Sequence, residues 1–345
     1  MNRRSVLAGA TAALVMAAVG CAPSTAPSTT ADPSAALPTP TVGLTYIPNV
    51  QFSPFYVAET DGSFTTAGVK PTLRHHGASE GLFTAIAAGQ EQFVIAGGDE
   101  VLQARSQGLD LVAVAAYYRA DPVVVIVPAD SAITTLSDLK GHSIGLPGKF
   151  GENWFGLQVA LRSAGLTEAD VKVQEIGYTQ QAALSTNKVD AIVGFENNEA
   201  VQFGVSGFAT RSIPIADGQV PLVGICLITT AAYARDFPAT VKAVAAGMLT
   251  GITSVVADPE RALTVSGDYV PGLSAAAAQA SAKATLTATL PLWTTAEGAV
   301  VGRFDAAQWT AMADFMATTG LTTSRVDPVP AFTNAYLGQN PGVSR

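Results

Sequence analysis

The sequence predicts an α/β protein with two open, mainly parallel sheets joined by a hinge, followed by a helical C-terminal region. Short apolar runs of β type alternate with helical patterns, which is typical of parallel sheets covered by helices. A second series of this kind begins after Pro128, and the chain is mostly helical from Pro238 onward. A length of 345 residues is sufficient for two lobes.

The individual elements follow from apolar runs bounded by glycine, proline and polar turns. Strands are predicted at 42–44, 69–74, 93–96, 111–116, 123–127, 142–146, 171–176 and 189–193, with a further apolar run at 222–228. Helices are predicted after Ser53, at 80–88, up to Gly108, and at 153–164, 180–187, 238–257, 259–268, 274–288 and 305–318.

The chain divides into an export region and two lobes. Residues 1–21 are predicted to be a lipoprotein signal peptide, because Arg3 and Arg4 precede an apolar run too short to anchor in a bilayer. Residues 22–40 are Ala, Pro, Ser and Thr with one Asp, which predicts a disordered tether. We expect lobe 1 to comprise 41–127 and 222–345, including the helical tail, and lobe 2 to comprise 128–221. The apolar runs 123–127 and 222–228 are the expected connections between the lobes.

The segment Ala18-Val19-Gly20-Cys21 resembles a bacterial lipobox. This resemblance implies that Cys21 is diacylated and anchors the folded protein at the outer face of the cytoplasmic membrane. An ordinary signal peptide with a chance cysteine is the alternative. Arg3 and Arg4 also resemble a twin-arginine signal, so the export route stays open between the two systems.

Charge and cysteine content exclude several classes of function. The 19 basic and 27 acidic side chains give a net charge of −8, which becomes −10 when Arg3 and Arg4 are removed. Without a basic cluster, nucleic acid is not an expected partner. Cys226 is the only cysteine left after processing, so neither an intramolecular disulfide nor a cysteine metal site is expected. It lies in an apolar run and should be buried.

A ligand site is predicted where the loops that follow the strands converge. In open α/β sheets, ligands bind beyond the carboxyl ends of the strands. Rings can stack on a flat polar ligand, side-chain amides can orient it, and free backbone N–H groups can meet negative charge. The expected ligand-binding residues are Tyr46, Asn49, Gln51, Phe52, Asp99, Gly148, Lys149, Phe150, Gly151, Trp154, Tyr178, Glu196 and Asn197.

Several of these residues have a plain structural alternative. Phe52 could belong to the core, Lys149 could be a solvated lysine, and Trp154 could pack within its lobe. Asp99 and Glu196 could each cap a helix. His75 and His76 lack partners at metal-ligand spacing and are expected at the surface. We therefore expect no metal site, no cofactor and no catalytic residues.

Four segments resemble periplasmic binding proteins for thiamine-pyrimidine precursors and for riboflavin. They are the opening Tyr-Ile-Pro-Asn-Val-Gln-Phe-Ser-Pro-Phe-Tyr-Val-Ala at 46–58, Ala-Arg-Ser-Gln-Gly at 104–108, Gly-Lys-Phe-Gly at 148–151 and Gly-Phe-Glu-Asn-Asn-Glu at 194–199. The superfamily also holds sulfonate-binding proteins and the fungal thiamine-pyrimidine synthase. The resemblance implies a two-lobed type II periplasmic-binding-protein fold, a monomer, and delivery of a small heteroaromatic ligand to an ABC permease.

The fungal synthase is the enzyme alternative on the same fold. The resemblance places its lysine and histidine at Ala96 and Glu100, and its cysteine-rich run near 221–227, which holds one cysteine here. Without the lysine there is no Schiff base for a pyridoxal cofactor, so a binding protein is expected rather than an enzyme. A sulfonate or small-anion binder remains a second alternative, and the choice between pyrimidine and flavin, like phosphorylation of the ligand, stays open.

Overall fold

The computed structural model describes residues 38–77, 80–215 and 220–338. The predicted signal peptide, the lipidation site at Cys21 and the tether up to residue 37 lie outside the described residues. The strands are β1 (Thr41–Leu44), β2 (Thr72–His75), β3 (Phe93–Gly97), β4 (Leu111–Ala116), β5 (Val123–Pro128), β6 (Ser143–Leu146), β7 (Lys172–Glu175), β8 (Ala191–Phe195), β9 (Thr210–Pro214) and β10 (Ile225–Thr230).

The helices surround these strands and also make up most of the C-terminal third. They are α1 (Ser53–Thr60), α2 (Ser63–Thr66), α3 (Thr84–Ala87), α4 (Gly98–Ser106), α5 (Gly151–Ser163), α6 (Gln180–Ser185), α7 (Glu199–Ser206), α8 (Ala231–Asp236), α9 (Pro238–Ala257), α10 (Pro259–Ser266), α11 (Ala276–Trp293) and α12 (Ala306–Thr318). Short 3-10 turns occur at Val50–Phe52, Leu136–Leu139, Glu168–Asp170 and Val329–Ala331.

The strands form two five-stranded sheets, which confirms the predicted fold class. The first sheet has the order β2-β1-β3-β10-β4 and the second has the order β7-β6-β8-β5-β9. In each sheet four strands run in one direction, and one strand, β10 or β5, runs against its two neighbours. The carboxyl ends of β1, β3, β6, β7 and β8 therefore release the loops that were expected to form the site.

The two apolar runs have a different role from the one expected. They were assigned to the connections between the lobes, but 123–127 lies inside the second sheet as β5, and most of 222–228 lies inside the first sheet as β10. A strand buried on both faces is continuously apolar, so these runs mark sheet interiors. The chain passes between the sheets at 117–122 and 215–224, of which 216–219 lie outside the described residues.

The start of α1 also differs from the prediction. The helix was predicted to begin after Ser53, but Ser53 is its first residue and a 3-10 turn precedes it. Asn49 caps that turn, accepting a hydrogen bond from the backbone N–H of Gln51 at 2.9 Å. Pro54 occupies the first turn of α1, where its missing N–H costs nothing. The helices α7 and α8 and the strand β9 were not predicted, because each is short and lacks clear punctuation.

His75 and His76 are not surface residues. His76 is buried and its Nε2 lies 2.9 Å from a carboxylate oxygen of Glu91, which also pairs with Arg74. The ring of His75 lies 2.9 Å from the hydroxyl of Tyr56. Burial lowers the pKa of His75 to about 4. Both imidazoles thus belong to polar contacts that stabilise the edge of the first sheet.

The helix α9 forms the centre of the C-terminal packing. Its most apolar 18-residue window has a mean hydropathy of 1.5, which would suit a membrane span, yet more than half of that window is buried against the rest of the described chain. It packs on α1, α2 and α10. Gly247 faces the ring of Phe64 and Gly251 faces the backbone of Pro54, so small residues allow these helices to approach closely. It is therefore a core helix.

We predict that Gly251→Ala destabilises the fold by about 1–3 kcal/mol, because a Cβ there would lie 2.9 Å from the carbonyl carbon of Pro54. The matched control is Gly204→Ala in α7, where a Cβ meets no atom within 4 Å. That control should gain up to about 1 kcal/mol from helix propensity. Urea denaturation measures both, and equal free energies of unfolding for the two variants would contradict the close packing of α9 on α1.

Candidate ligand-binding site

A cavity of about 420 Å³ lies between the carboxyl ends of the two sheets. Its walls come from the loop after β1, from the ends of β3 and β8, from the first residues of α4, α5, α6 and α7, and from the crossing at 117–118. This volume is within the usual range of small-molecule sites, about 300–1,000 Å³. The cavity therefore occupies the position predicted by the strand-end rule.

Tyr46 joins the two halves of the cavity wall. It follows β1, yet its ring lies 5.1 Å from that of Phe150 and 6.5 Å from that of Tyr178, which follow strands of the second sheet. Gly151 permits this contact, because its φ is +66° and a Cβ there would collide with the Tyr46 ring. Burial, reinforced by nearby carboxylates, raises the pKa of Tyr46 far above its usual value, so its hydroxyl stays neutral.

Other rings extend this aromatic surface around the cavity. Phe52, Tyr117 and Tyr118 come from the first half of the wall, and Tyr178 and Phe195 come from the second. The hydroxyl of Tyr117 donates a 2.6 Å hydrogen bond to the carbonyl oxygen of Gln51, which holds the 3-10 turn that precedes α1. Rings on both sides suit a flat, apolar-faced guest.

A network of side-chain amides also connects the two halves. Asn49 Nδ2 donates to Asn198 Oδ1 at 3.4 Å, and the same oxygen accepts from Gln202 Nε2 at 2.7 Å and from Thr285 Oγ1 at 3.4 Å. Asn198 Nδ2 in turn donates to Glu199 at 2.9 Å. The amides that line the cavity are Asn49, Gln51, Asn153, Gln180, Gln181, Asn198 and Gln202.

The charged groups on the cavity wall are all acidic. Glu100, Glu152 and Glu199 line it, and no lysine, arginine or histidine among the described residues does so. Burial raises the pKa of Glu100 to about 7 and the pKa of Glu199 above its usual value. Burial, together with the neighbouring carboxylates of Asp99 and Asp121, raises the pKa of Glu152 well above its usual range. Because a raised pKa favours the neutral carboxyl, the wall offers hydrogen-bonding oxygens and gives an anion no cationic partner among the described residues.

Five of the residues predicted from the sequence line this cavity, namely Tyr46, Asn49, Gln51, Phe52 and Tyr178. Four others lie along an adjoining surface groove that also borders Glu100, namely Lys149, Phe150, Gly151 and Trp154. The ammonium of Lys149 pairs with Glu168 and lies 5.4 Å from the centre of the Trp154 ring. Gly148 lies beside the Phe150 ring, where a Cβ would collide with it.

The remaining three predicted residues lie outside the cavity wall. Asp99 is fully buried behind it, and its Oδ1 accepts from the backbone N–H of Glu100. Glu196 has an exposed side chain. Asn197 is buried and donates a 2.8 Å hydrogen bond to Thr289 Oγ1 in α11, which ties the second sheet to the helical tail.

Sequence reasoning missed several wall residues. Glu199 lies three positions after Glu196 in the same Glu-Asn-Asn-Glu run, and only the short helix α7 decides which carboxylate faces inward. Glu100 was considered only as a replaced histidine and Glu152 not at all. The first turns of α4 and α5 lie directly after strand ends, and that position was the signal available for both.

The two mixed sheets with a cavity between their carboxyl ends constitute a periplasmic-binding-protein fold. A model of the family described as NMT1/THI5 like matches residues 49–262, and the chain belongs to this family. This membership confirms the resemblance expected from the sequence. Among solved structures, the alkanesulfonate-binding protein SsuA from Xanthomonas axonopodis pv. citri, bound to MOPS, has a TM-score of 0.66 at 21% identity and covers 87% of this chain and 99% of its own.

Two relatives carry names that refer to ligands. The riboflavin-binding protein RibY of Chloroflexus aurantiacus is 32% identical over 320 residues, which is 92% of this chain and 90% of the relative. The formylaminopyrimidine-binding protein of Halalkalibacterium halodurans is 26% identical over 238 residues, covering 68% and 72% of the two chains. Both relatives are named as binding proteins and not as enzymes.

We predict that Gly151→Ala costs more stability than Gly165→Ala. Both glycines have positive φ, +66° and +70°, so both variants should lose about 1–2 kcal/mol from backbone strain. A Cβ at Gly165 meets no atom within 4 Å, whereas one at Gly151 displaces Tyr46 and should add about 1–3 kcal/mol. Urea denaturation compares them directly. Equal losses would show that the ring of Tyr46 does not pack over Gly151.

Proposed function

We propose that this protein is the extracytoplasmic substrate-binding lipoprotein of an ABC importer and that it captures riboflavin or a closely related neutral flavin. The observation that carries the proposal is the cavity between the sheets, lined by rings and amides and by carboxylates without a basic side chain. The family membership and the names of two relatives support a vitamin-type heterocycle as the guest.

The aromatic wall supports a flat ring system. Tyr46 and Tyr178 approach from opposite sheets, and Phe52 and Tyr118 extend the apolar surface. Each favourable ring–ring contact contributes about 0.5–1.5 kcal/mol beyond burial of area. Two or three such contacts with several oriented hydrogen bonds support a dissociation constant in the micromolar range or below.

The acidic wall supports a ligand that donates hydrogen bonds and carries no negative charge. The imide N–H of a flavin ring and the hydroxyls of its ribityl chain are donors that Glu100, Glu152 and Glu199 can accept. A phosphate or sulfonate would face these carboxylates without a cation from any described wall residue. The sulfonate alternative is therefore disfavoured, although SsuA shares the fold.

The choice of flavin over pyrimidine rests on similarity and on size. The relative named for riboflavin is similar over nearly the whole chain, whereas the relative named for formylaminopyrimidine matches about two thirds of it. Rings also line the cavity on several sides, which provides more stacking surface than a single six-membered ring can cover. A thiamine pyrimidine such as a hydroxymethyl- or formylamino-pyrimidine remains the second candidate.

Capture would proceed by closure of the two lobes. The contacts between Tyr46 and Phe150 and between Asn49 and Asn198 join groups from the two sheets, so they hold a closed arrangement. Opening would separate them and expose the cavity to the ligand. The closed monomer would then dock on the permease, held near the membrane by lipid on Cys21. The synthase alternative is disfavoured because Ala96 lines the cavity where that enzyme has its lysine.

We predict that Glu199→Ala weakens riboflavin binding tenfold or more, because a buried donor of the ligand loses its acceptor at a cost of about 1–3 kcal/mol. Glu196→Ala is the matched control, since its exposed carboxylate lies in the same loop outside the cavity. Isothermal titration calorimetry of both purified variants, with melting temperature as a check of folding, measures the difference. Equal affinities for the two variants would remove Glu199 from the site.

We also predict that flavin mononucleotide and alkanesulfonates bind at least tenfold more weakly than riboflavin, because no basic side chain among the described wall residues would offset burial of their anionic groups. Competition titrations with riboflavin, flavin mononucleotide, an aminopyrimidine and an alkanesulfonate establish the order. Preference for the aminopyrimidine would select the second candidate. Preference for either anion would contradict the charge argument, and chemical turnover of any ligand without permease would favour an enzyme.

A further inference from the structure

Four carboxyl groups meet at one end of the cavity, with Glu100 and Glu152 in its wall and Asp99 and Asp121 outside it. Asp99 and Glu100 begin α4 beside the first sheet, Asp121 lies in the crossing between the sheets, and Glu152 begins α5 beside the second sheet. One oxygen from each of Asp99, Asp121 and Glu152 lies within 4.8 Å of the others. We call this group the carboxylate cluster. The carboxylate cluster could not be predicted from the sequence, because its residues come from three segments that are distant along the chain.

Three of the eight oxygens in the carboxylate cluster accept a hydrogen bond from a backbone N–H. Asp99 Oδ1 accepts from the backbone N–H of Glu100 at 2.9 Å, Asp121 Oδ1 accepts from that of Val123 at 2.7 Å, and Glu100 Oε2 accepts from that of Gly97 at 2.9 Å. These bonds orient the three carboxylates toward a common centre.

Four of the five remaining oxygens are buried without a hydrogen-bond donor. They are Asp99 Oδ2, Asp121 Oδ2 and both carboxylate oxygens of Glu152. Glu152 as a whole is only 7% exposed. None of the ion pairs in the described part of the chain includes a member of the cluster. A buried charge without a partner costs several kcal/mol, so either a cation or protons must offset the charge of the cluster.

We propose that the carboxylate cluster binds one calcium-class divalent cation, held by Asp99, Asp121 and Glu152 with Glu100 at its edge. Carboxylate oxygens are hard ligands that suit Ca²⁺ and Mg²⁺. Ca²⁺ accepts an irregular set of protein oxygens, whereas Mg²⁺ demands near-ideal octahedral geometry and is seldom held by protein oxygens alone. One oxygen from each of Asp99, Asp121 and Glu152 lies within 4.8 Å of the others, so a single ion can contact all three.

The cation would link three parts of the chain that otherwise repel one another. Asp99 belongs to the first sheet's helix α4, Asp121 to the crossing and Glu152 to the second sheet's helix α5. A shared ion would hold these segments together and stabilise the closed arrangement. This inference goes beyond the proposed function, because the ion lies behind the cavity wall and its binding can be measured without any organic ligand.

The test is a calorimetric titration of the chelator-treated, purified protein with CaCl₂, and separately with MgCl₂. We expect saturable binding of one Ca²⁺ per chain, with Mg²⁺ at least tenfold weaker. At a hundredfold excess over the dissociation constant, Ca²⁺ should raise the melting temperature by about 5 °C. Asp121→Asn, which lies outside the ligand cavity, should weaken Ca²⁺ binding tenfold or more. Asp130→Asn, an exposed carboxylate beyond β5, is the control and should leave it unchanged.

The wild-type titration decides the matter even if a variant fails to fold. Absence of saturable Ca²⁺ binding would overturn the proposal, and so would equal Ca²⁺ affinity in wild type and in Asp121→Asn. Protons are the competing occupant of the cluster. In that case the melting temperature would rise as the pH falls and would not respond to Ca²⁺, which also overturns the proposal.

Discussion

The structure depends on the close approach of two sets of strand ends, and the contact of Tyr46 with Phe150 over Gly151 is where that approach is tightest. A glycine with positive φ removes the Cβ that would hold the sheets apart. Because the contact joins loops from both sheets, it makes one enclosed cavity from two open rims. The rings and amides that line the cavity belong largely to the segments that follow the strands at that edge.

The electrostatics of the protein favour a neutral guest. The chain is acidic overall, and its buried carboxylates concentrate around the cavity and behind it. Burial raises the pKa of Glu152 and Glu199, which means that it destabilises their charged forms. A hydrogen-bond donor or a cation can offset that destabilisation. The proposed capture of a flavin and the proposed binding of a cation would be two separate ways of satisfying neighbouring acceptors.

Much of the fold could be predicted from the sequence because the buried strands are apolar runs bounded by glycine, proline and polar turns. The bounds of β4 and of α9 agree with the predicted 111–116 and 238–257. The crossing points could not be predicted from apolar runs, because β5 and β10 are buried strands. Short elements such as α7 were not predicted either, since a two-turn helix has too few residues to show the helical periodicity of apolar positions.

The candidate site could be predicted by position and not by orientation. The strand-end rule located the loops of Tyr46 and Tyr178, and these residues line the cavity. Whether Glu196 or Glu199 faces inward depends on the rotation of one short helix. The meeting of Asp99, Asp121 and Glu152 depends on tertiary packing alone, and no local pattern records it.

The hydrogen bonds of Asn198 give the amide network a direction. Its oxygen accepts hydrogen bonds from Asn49 and Gln202, and its nitrogen donates to one oxygen of Glu199. The other oxygen of Glu199 accepts from the backbone N–H of Phe195 at 2.8 Å. Each oxygen of Glu199 therefore already accepts a hydrogen bond from the protein in the absence of a ligand. A ring nitrogen held at that corner would therefore have to supply its own proton, and the proposed site would favour the N–H tautomer of its ligand.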